Sequence, residues 1–308
     1  MESVTRCGFA AVIGAPNAGK STLVNALVGS KVSIVSPKVQ TTRMAVRGVA
    51  IKGNTQIVFV DTPGIFKPRR RLDRAMVQAA WTGAGDADAI LLIVDAQELI
   101  AQPNGLAARD TAMIVEGLKA SNSRAALLIN KIDGVKRTDL LPLVEAFNNE
   151  GVFDAVFLIS ALKGDYVSDV ADWVAERMHE GPWLYPADQA ADIPSRLLAA
   201  EITREKIYLR LHDELPYATT VETEKWEERK DGSVKIDQVI FVQREGQKPI
   251  VLGKGGATIK KIGELARTEM EEIFARRVHL FLFVKVREDW AEQREHYKEI
   301  GLEFPDDK

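Results

Sequence analysis

Residues 14–21 read Gly14-Ala15-Pro16-Asn17-Ala18-Gly19-Lys20-Ser21, a loop of pattern G-x-x-x-x-G-K-[ST]. The chemistry open to these residue types at this spacing is the holding of a polyphosphate. Glycines let the backbone curl until its N–H groups face one point. The Lys20 ammonium would reach the β- and γ-phosphates, and the Ser21 hydroxyl would ligate Mg²⁺. An apolar run, Phe9 to Ile13, precedes the loop and a helical pattern, Thr22 to Leu27, follows it. That strand–loop–helix frame is the context the motif needs, and the helix adds its positive N-terminal end.

A second apolar run, Ile57 to Val60, ends at Asp61-Thr62-Pro63-Gly64. A carboxylate at that tip can hold the Mg²⁺ shell, and the Gly64 N–H can meet a γ-phosphate with no side chain in the way. Between the two motifs lies Pro37-Lys38-Val39-Gln40-Thr41-Thr42-Arg43, where a threonine hydroxyl, for preference that of Thr42, would complete the metal shell. Segments 37–43 and 64–72 are therefore candidate switches, ordered when the γ-phosphate is present.

Asn130-Lys131-Ile132-Asp133 closes a further apolar run, Ala125 to Ile129. Guanine offers two donors, N1–H and the exocyclic amine, to a single carboxylate, and adenine offers no such pair. A site built on Asp133 therefore rejects the wrong base by leaving groups unpaired. Asn130 would brace the loop and the Lys131 stem would pack on the base. Ser160-Ala161-Leu162 follows the run Phe157-Leu158-Ile159 and would bring the Ala161 N–H to guanine O6. The predicted ligands are GTP and GDP with Mg²⁺.

Strands near 9–13, 57–60, 90–94, 125–129 and 155–159, with helical patterns between several of them, are needed to position these loops. They imply an α/β fold with a mostly parallel sheet and ligand loops at the carboxyl ends of strands. The first half resembles a small P-loop GTPase of the translation-factor-related class. Many small GTPases place a water-orienting Gln after Asp-x-x-Gly; here Ile65 and Phe66 follow Gly64. Some GTPases with an apolar residue there use bound K⁺, marked by an Asn in the phosphate loop. Asn17 holds that place. Two readings stay open: Asn17 seats K⁺ with switch carbonyls near Val39 to Thr41, or it merely caps the loop. Lys20, Asn17, Thr42 and Gly64 form the expected catalytic set, with slow intrinsic turnover.

Gly181 to Pro194 breaks both periodicities and marks a boundary, dividing the chain into residues 1–180, a linker at 181–194, and residues 195–308. The second part carries a helical pattern (Leu197, Leu198, Ile202, Ile207, Leu211) and extended runs at Thr219–Trp226 and Val234–Val242 about an Asp231-Gly232 turn. A loop Gly253-Lys254-Gly255-Gly256 lies between two apolar helical stretches, and a last strand runs Val278–Val286. This α, β, β, α, α, β order around G-x-x-G resembles a type II KH domain, an α+β unit whose bare loop backbone approaches single-stranded RNA. The RNA-facing set is Ile250, Val251, Gly253, Lys254, Gly255, Gly256, Ile259, Lys260 and Lys261, with Ile262 in the core beside them. Residues 181–308 hold 21 basic and 25 acidic side chains, a net −4. RNA contact must therefore rest on a local strip and on backbone proximity rather than on a global field. Arg267, Arg276 and Arg277 extend that strip or belong to a solvated helix face.

The pairing of these two domains is similar to a family of bacterial ribosome-assembly GTPases. Further segments carry the likeness: Gln40-Thr41-Thr42-Arg43, Ala199-Ala200-Glu201-Ile202, Arg204-Glu205-Lys206, Glu214-Leu215-Pro216-Tyr217 and Arg244-Glu245-Gly246-Gln247-Lys248. The resemblance spans residues 6 to 303. It implies GTP hydrolysis, binding to the 3′ end of 16S rRNA and assistance in maturing the 30S subunit. It also implies a monomer in the cytoplasm with some peripheral association with the inner membrane. Two departures stand out. Ala15 and Ala18 replace the family's usual Arg and Val, and Gly255 replaces a usual Lys, which removes one phosphate contact.

Composition fits this picture. The 308 residues are 46% hydrophobic, with a net charge of −3, and suit two domains. A single cysteine, Cys7, allows no intrachain disulfide and fits a reducing compartment. No run approaches a membrane span, and the stretch before the first strand is too short for a signal peptide. The basic run Lys67-Pro68-Arg69-Arg70-Arg71 could touch RNA or lipid headgroups, or be a solvated loop. Competing functions are an RNA-binding scaffold in which GTP only tunes affinity, and a tRNA-modifying GTPase. The latter would need a further catalytic domain or reactive cysteine and a folate site, none of which is visible.

Overall fold

The computed structural model describes residues 4–305. By contact density the chain divides into two compact units. One comprises Met1–Ser33, Thr42–Asp192 and Tyr297–Lys308; the other comprises Ile34–Thr41 and Ile193–His296.

In the first unit, β1 (Arg6–Ile13) leads into α1 (Lys20–Val28), β2 (Val46–Lys52) and β3 (Thr55–Asp61). Then come α2 (Arg71–Gly85), β4 (Ala89–Asp95), α3 (Ala96–Ala101), α4 (Leu106–Ala120), β5 (Ala125–Asn130), α5 (Arg137–Asn148), β6 (Phe153–Leu158) and α6 (Val167–Ala175). Two short strands, β7 (His179–Glu180) and β8 (Ala191–Asp192), complete the sheet. Its order is β6-β5-β4-β1-β3-β2-β8, with β7 on β1. The pairs β1–β3, β1–β4, β4–β5 and β5–β6 are parallel, and β2–β3, β2–β8 and β1–β7 are antiparallel.

The parallel strands are continuous apolar runs because helices cover both faces. Leu23 and Val24 of α1 pack with Val170 and Val174 of α6 over one face. Ala80 and Ala84 of α2, Ile114 and Leu118 of α4, and Leu140 of α5 cover the other. The five expected strands are all present. The sequence reading did not include β2, whose Gly48 interrupts the pattern. A Cβ at Gly48 would lie 2.7 Å from Val28 of α1, so close helix approach, not a turn, requires this glycine. The stretch after β7 is tied to the same unit: the Leu184 and Tyr185 N–H groups donate to Gln56 Oε1, and the Gln56 amide donates to Tyr185 O.

In the second unit, α7 (Ser195–Arg210), β9 (Thr219–Glu228), β10 (Val234–Val242), α8 (Lys248–Leu252), α9 (Ala257–Phe274) and β11 (Val278–Val286) follow the expected order. The sheet runs β11-β10-β9, antiparallel for β9–β10 and parallel for β10–β11. Ile207, Ile240, Val251, Ile262 and Val284 form its core with Ala200 and Leu215. Helix α7 also buries charge. Arg204, Glu205 and Lys206 are all sequestered, with Arg204 paired to Glu201 and Lys206 to both Glu205 and Glu269. The segment Ile34–Thr41 is held on this helix: Val35 N–H donates to Glu205 Oε1 at 2.7 Å, and the Arg204 guanidinium donates to Thr41 O.

Candidate nucleotide site and nucleic-acid interface

The phosphate end is built where β1 gives way to α1. Gly19 sits at φ +105°, and a Cβ there would come within 2.3 Å of the Asn130 amide nitrogen, so only glycine fits. Lys20 is buried, with its ammonium on Gly14 O at 3.1 Å and Ala15 O at 2.8 Å. Burial lowers its pKa to about 8, against the opposing pull of Asp61. Ala15 and Pro16 line the loop, Asn17 takes a left-handed turn at φ +62°, and Ala18 offers its carbonyl to Asn130.

Three oxygens converge beside it. Ser21 Oγ lies 2.9 Å from Thr42 Oγ1 and 2.7 Å from Asp61 Oδ2, which is itself 3.4 Å from Thr42 Oγ1. Asp61 is wholly buried and its Oδ1 has no hydrogen-bond partner among the described residues. Burial raises its pKa, opposed by the Ser21 hydroxyl and the Lys20 charge. One carboxylate and two hydroxyls, with an oxygen left over, suit a hard cation that shares its shell with phosphate and water. Thr22 continues the first turn of α1. Thr62 Oγ1 donates to Val12 O at 2.7 Å and anchors the strand tip. Gly64 lies against Pro16, where a Cβ would sit at 3.0 Å, and Ile65 behind it is wholly buried. No group of three or more His, Cys, Asp or Glu side chains that could hold a metal occurs among the described residues.

The base end is a braced loop. Asn130 donates to Ala18 O at 2.8 Å and accepts from Ala161 N–H at 2.9 Å, so it ties phosphate loop, base loop and the Ser160 turn together. The Ala161 N–H expected at guanine O6 rests on Asn130 Oδ1 in this structure, at the edge of the base loop. Ser160 Oγ donates to Asp133 Oδ1 at 2.7 Å, and this hydroxyl above all holds the Asp133 pKa below the ordinary carboxylate range. An ionised Asp133 is what two guanine donors require. Leu162 is 81% exposed beside the loop and offers an apolar face to a base. Sequence reasoning missed Asp95, which pairs with Lys131 at 2.5 Å while its other oxygen accepts the Glu98 N–H. An aspartate closing β4 is the only sequence signal for it, and that is weak without the fold.

The second unit presents the G-x-x-G loop between α8 and α9. Gly253 has φ +74° and a Cβ there would strike Thr258; Gly255 and Gly256 follow in the left-handed region. Ile250 is exposed and Ile259 half-buried, but Val251 is wholly buried in the core, so it supports the groove without reaching RNA. Lys254 and Lys260 are exposed, while Lys261 pairs with Glu264. Arg267 and Arg276 pair with Glu271 and Glu228, and so add little to a basic strip.

Residues 9–131 match the family described as 50S ribosome-binding GTPase, and residues 214–291 match the KH domain family. The GTPase Era of Caulobacter vibrioides is 60% identical over 98% of both chains, and that of Sinorhizobium medicae 61% identical over 98% of this chain and 95% of its own. The chain belongs to the Era family of GTPases. A crystal structure of Era with MgGDPNP and nucleotides 1506–1542 of 16S ribosomal RNA superposes with a TM-score of 0.89 at 38% identity, covering 96% of this chain and 99% of that one. A Tyr-to-Ala variant of Aquifex aeolicus Era bound to GDP·AlF4⁻ gives a TM-score of 0.88. Membership of the Era family fits the two loops built here: the oxygens of Ser21, Thr42 and Asp61 in the first unit and the bare G-x-x-G backbone in the second.

Proposed function

We propose that this protein is a GTP-hydrolysing switch that binds the 3′ end of 16S rRNA through its KH unit and assists maturation of the 30S subunit. The observation that carries this reading is the convergence of Ser21, Thr42 and Asp61 beside Lys20 in a chain that also bears Asp133 and a G-x-x-G loop. Ser21, Thr42 and Asp61 would hold Mg²⁺, which when bound neutralises charge on the β- and γ-phosphates. Lys20 adds a cation to the same oxygens. Gly64 offers a backbone donor, and Ile65, being apolar, orients no water, which supports slow hydrolysis. Asn17 is proposed to seat K⁺; equal turnover in Na⁺ and K⁺ would refute that role. The functional division follows the expected boundary within 181–194, with Ile34–Thr41 joining the RNA-binding unit and the chain from Tyr297 onward joining the nucleotide-binding unit. The RNA-facing set is Ile250, Gly253, Lys254, Gly255, Gly256, Ile259, Lys260 and Lys261.

The protein is proposed to act as a monomer in the cytoplasm, with peripheral contact to the inner membrane. No helix among the described residues is long and apolar enough to cross a membrane. The test is binding of a labelled single strand from the 3′ end of 16S rRNA to the full chain with a GTP analogue or GDP. Tighter binding with the analogue supports the switch. Equal binding favours the scaffold reading, for which the missing water-orienting side chain at Ile65 also speaks.

A further inference from the structure

Between Gly64 and the first turn of α2 the chain carries Lys67, Arg69, Arg70, Arg71 and Arg74 against one acid, Asp73, in a protein whose net charge is −3. The acids near this segment serve its backbone. Asp73 Oδ2 accepts the N–H groups of Arg69 and Arg70, each at 3.0 Å, and Asp110 accepts the Lys67 N–H. Arg71 turns inward, its guanidinium 4.7 Å from the centroid of Phe304. Lys67, Arg69, Arg70 and Arg74 are exposed, and none forms an ion pair with another described residue. The carboxylates thus fix the path of the loop while four cations stay uncompensated in solvent. Some exposed cations elsewhere are neutralised, as Lys119 is by Glu116 and Glu150, and Lys285 by Glu224; here the charges are both unpaired and crowded into eight residues.

We infer that this patch is a second RNA-binding surface, separate from the KH loop, which grips the phosphate backbone of an RNA helix. No aromatic side chain lies within 67–74, so the patch has no stacking platform for unpaired bases. Arg70 and Arg74, one helical turn apart, instead suit successive phosphates on one strand, contacts that position without reading sequence. A double-stranded RNA offers such a phosphate track. The patch begins three residues beyond Gly64, so its grip changes with the nucleotide if segment 64–72 is a switch; only that dependence rests on the function proposed above.

The test uses the full chain, a blunt RNA hairpin with a long uniform stem, and a separate single-stranded oligonucleotide, with affinity measured across salt concentrations. Replacing Lys67, Arg69, Arg70 and Arg74 by Gln should flatten the slope of log K against log salt for the hairpin by about 3. Replacing the three arginines by Lys should preserve that slope. The Lys254→Asp, Gly255→Asp variant should leave the hairpin slope intact and impair the single strand, so failure of this patch and failure of the KH reading are distinguishable. An unchanged hairpin slope in the Gln variant overturns the proposal, as does a slope lost equally in the Lys variant. Loss of binding to phosphatidylserine vesicles with the hairpin slope intact also overturns it and assigns the patch to a membrane.

Discussion

Lys20 has a pKa lowered by burial to about 8, yet its task is to meet phosphate as an ammonium. Triphosphate binding favours the charged form, so GTP affinity should be flat below pH 8. It should weaken by up to about tenfold per pH unit above that, until the pKa of the complex is reached. Without nucleotide the sign reverses. The unfolded chain holds the proton more tightly than the folded one between about 8 and 10.5, so folding stability should rise with pH through that window. Fluorescent-nucleotide titrations and melting curves over the same buffers check both. Asp133 lends itself to a sharper test. Asp133→Asn removes the acceptor of two guanine donors, and GTP affinity should fall by about three orders of magnitude or more while xanthine nucleotides gain. Unchanged selectivity in competition binding would refute the base assignment.

Helix α8, its glycine loop and helix α9 act as one element, and each glycine in the loop answers a different demand. Gly253→Ala should destabilise by about 2 kcal/mol or more, because the backbone is left-handed and the new Cβ meets Thr258. Gly255→Lys places a cation in open space at φ +59°. It should lose about 1 kcal/mol in chemical denaturation while steepening the salt dependence of single-strand binding by about 0.7. The elements themselves were largely legible in sequence. The apolar runs of β1, β3, β4, β5 and β6 and the period-two alternation of β10 announce themselves, since each is fixed by local burial. Strand β2 was not, because Gly48 serves a helix that packs on it from elsewhere in the chain. Strands β7 and β8 are two residues each and exist only through their partners. The site was readable where chemistry dictates residue type, as at Lys20, Asp61 and Asp133. It was opaque where geometry alone decides, as with the burial of Val251.

The two units are interleaved along the chain. Ile34–Thr41 belongs with the second unit, and Thr42, which supplies a hydroxyl beside Asp61, begins the return to the first. At the other end the chain comes back to the first unit from Tyr297 onward. There Tyr297 and Leu302 are buried, Glu303 meets Gln78 at 3.3 Å, and Phe304 stacks on Arg71. Ending the chain after His296 should lower the melting temperature of the GDP-bound protein by about 5 °C or more, from the loss of two buried side chains. Helix α7 is a second point of sensitivity. Glu205→Ala leaves Lys206 with Glu269 alone and removes the acceptor of the Val35 N–H, and should destabilise by about 1–2 kcal/mol in denaturant titration. Interleaving also bears on how the protein is made. Synthesis proceeds from the N-terminus at about 5–20 residues per second, and domains ordinarily close as they emerge. Here the first unit to leave the ribosome waits for the last residues to be translated before it can finish folding.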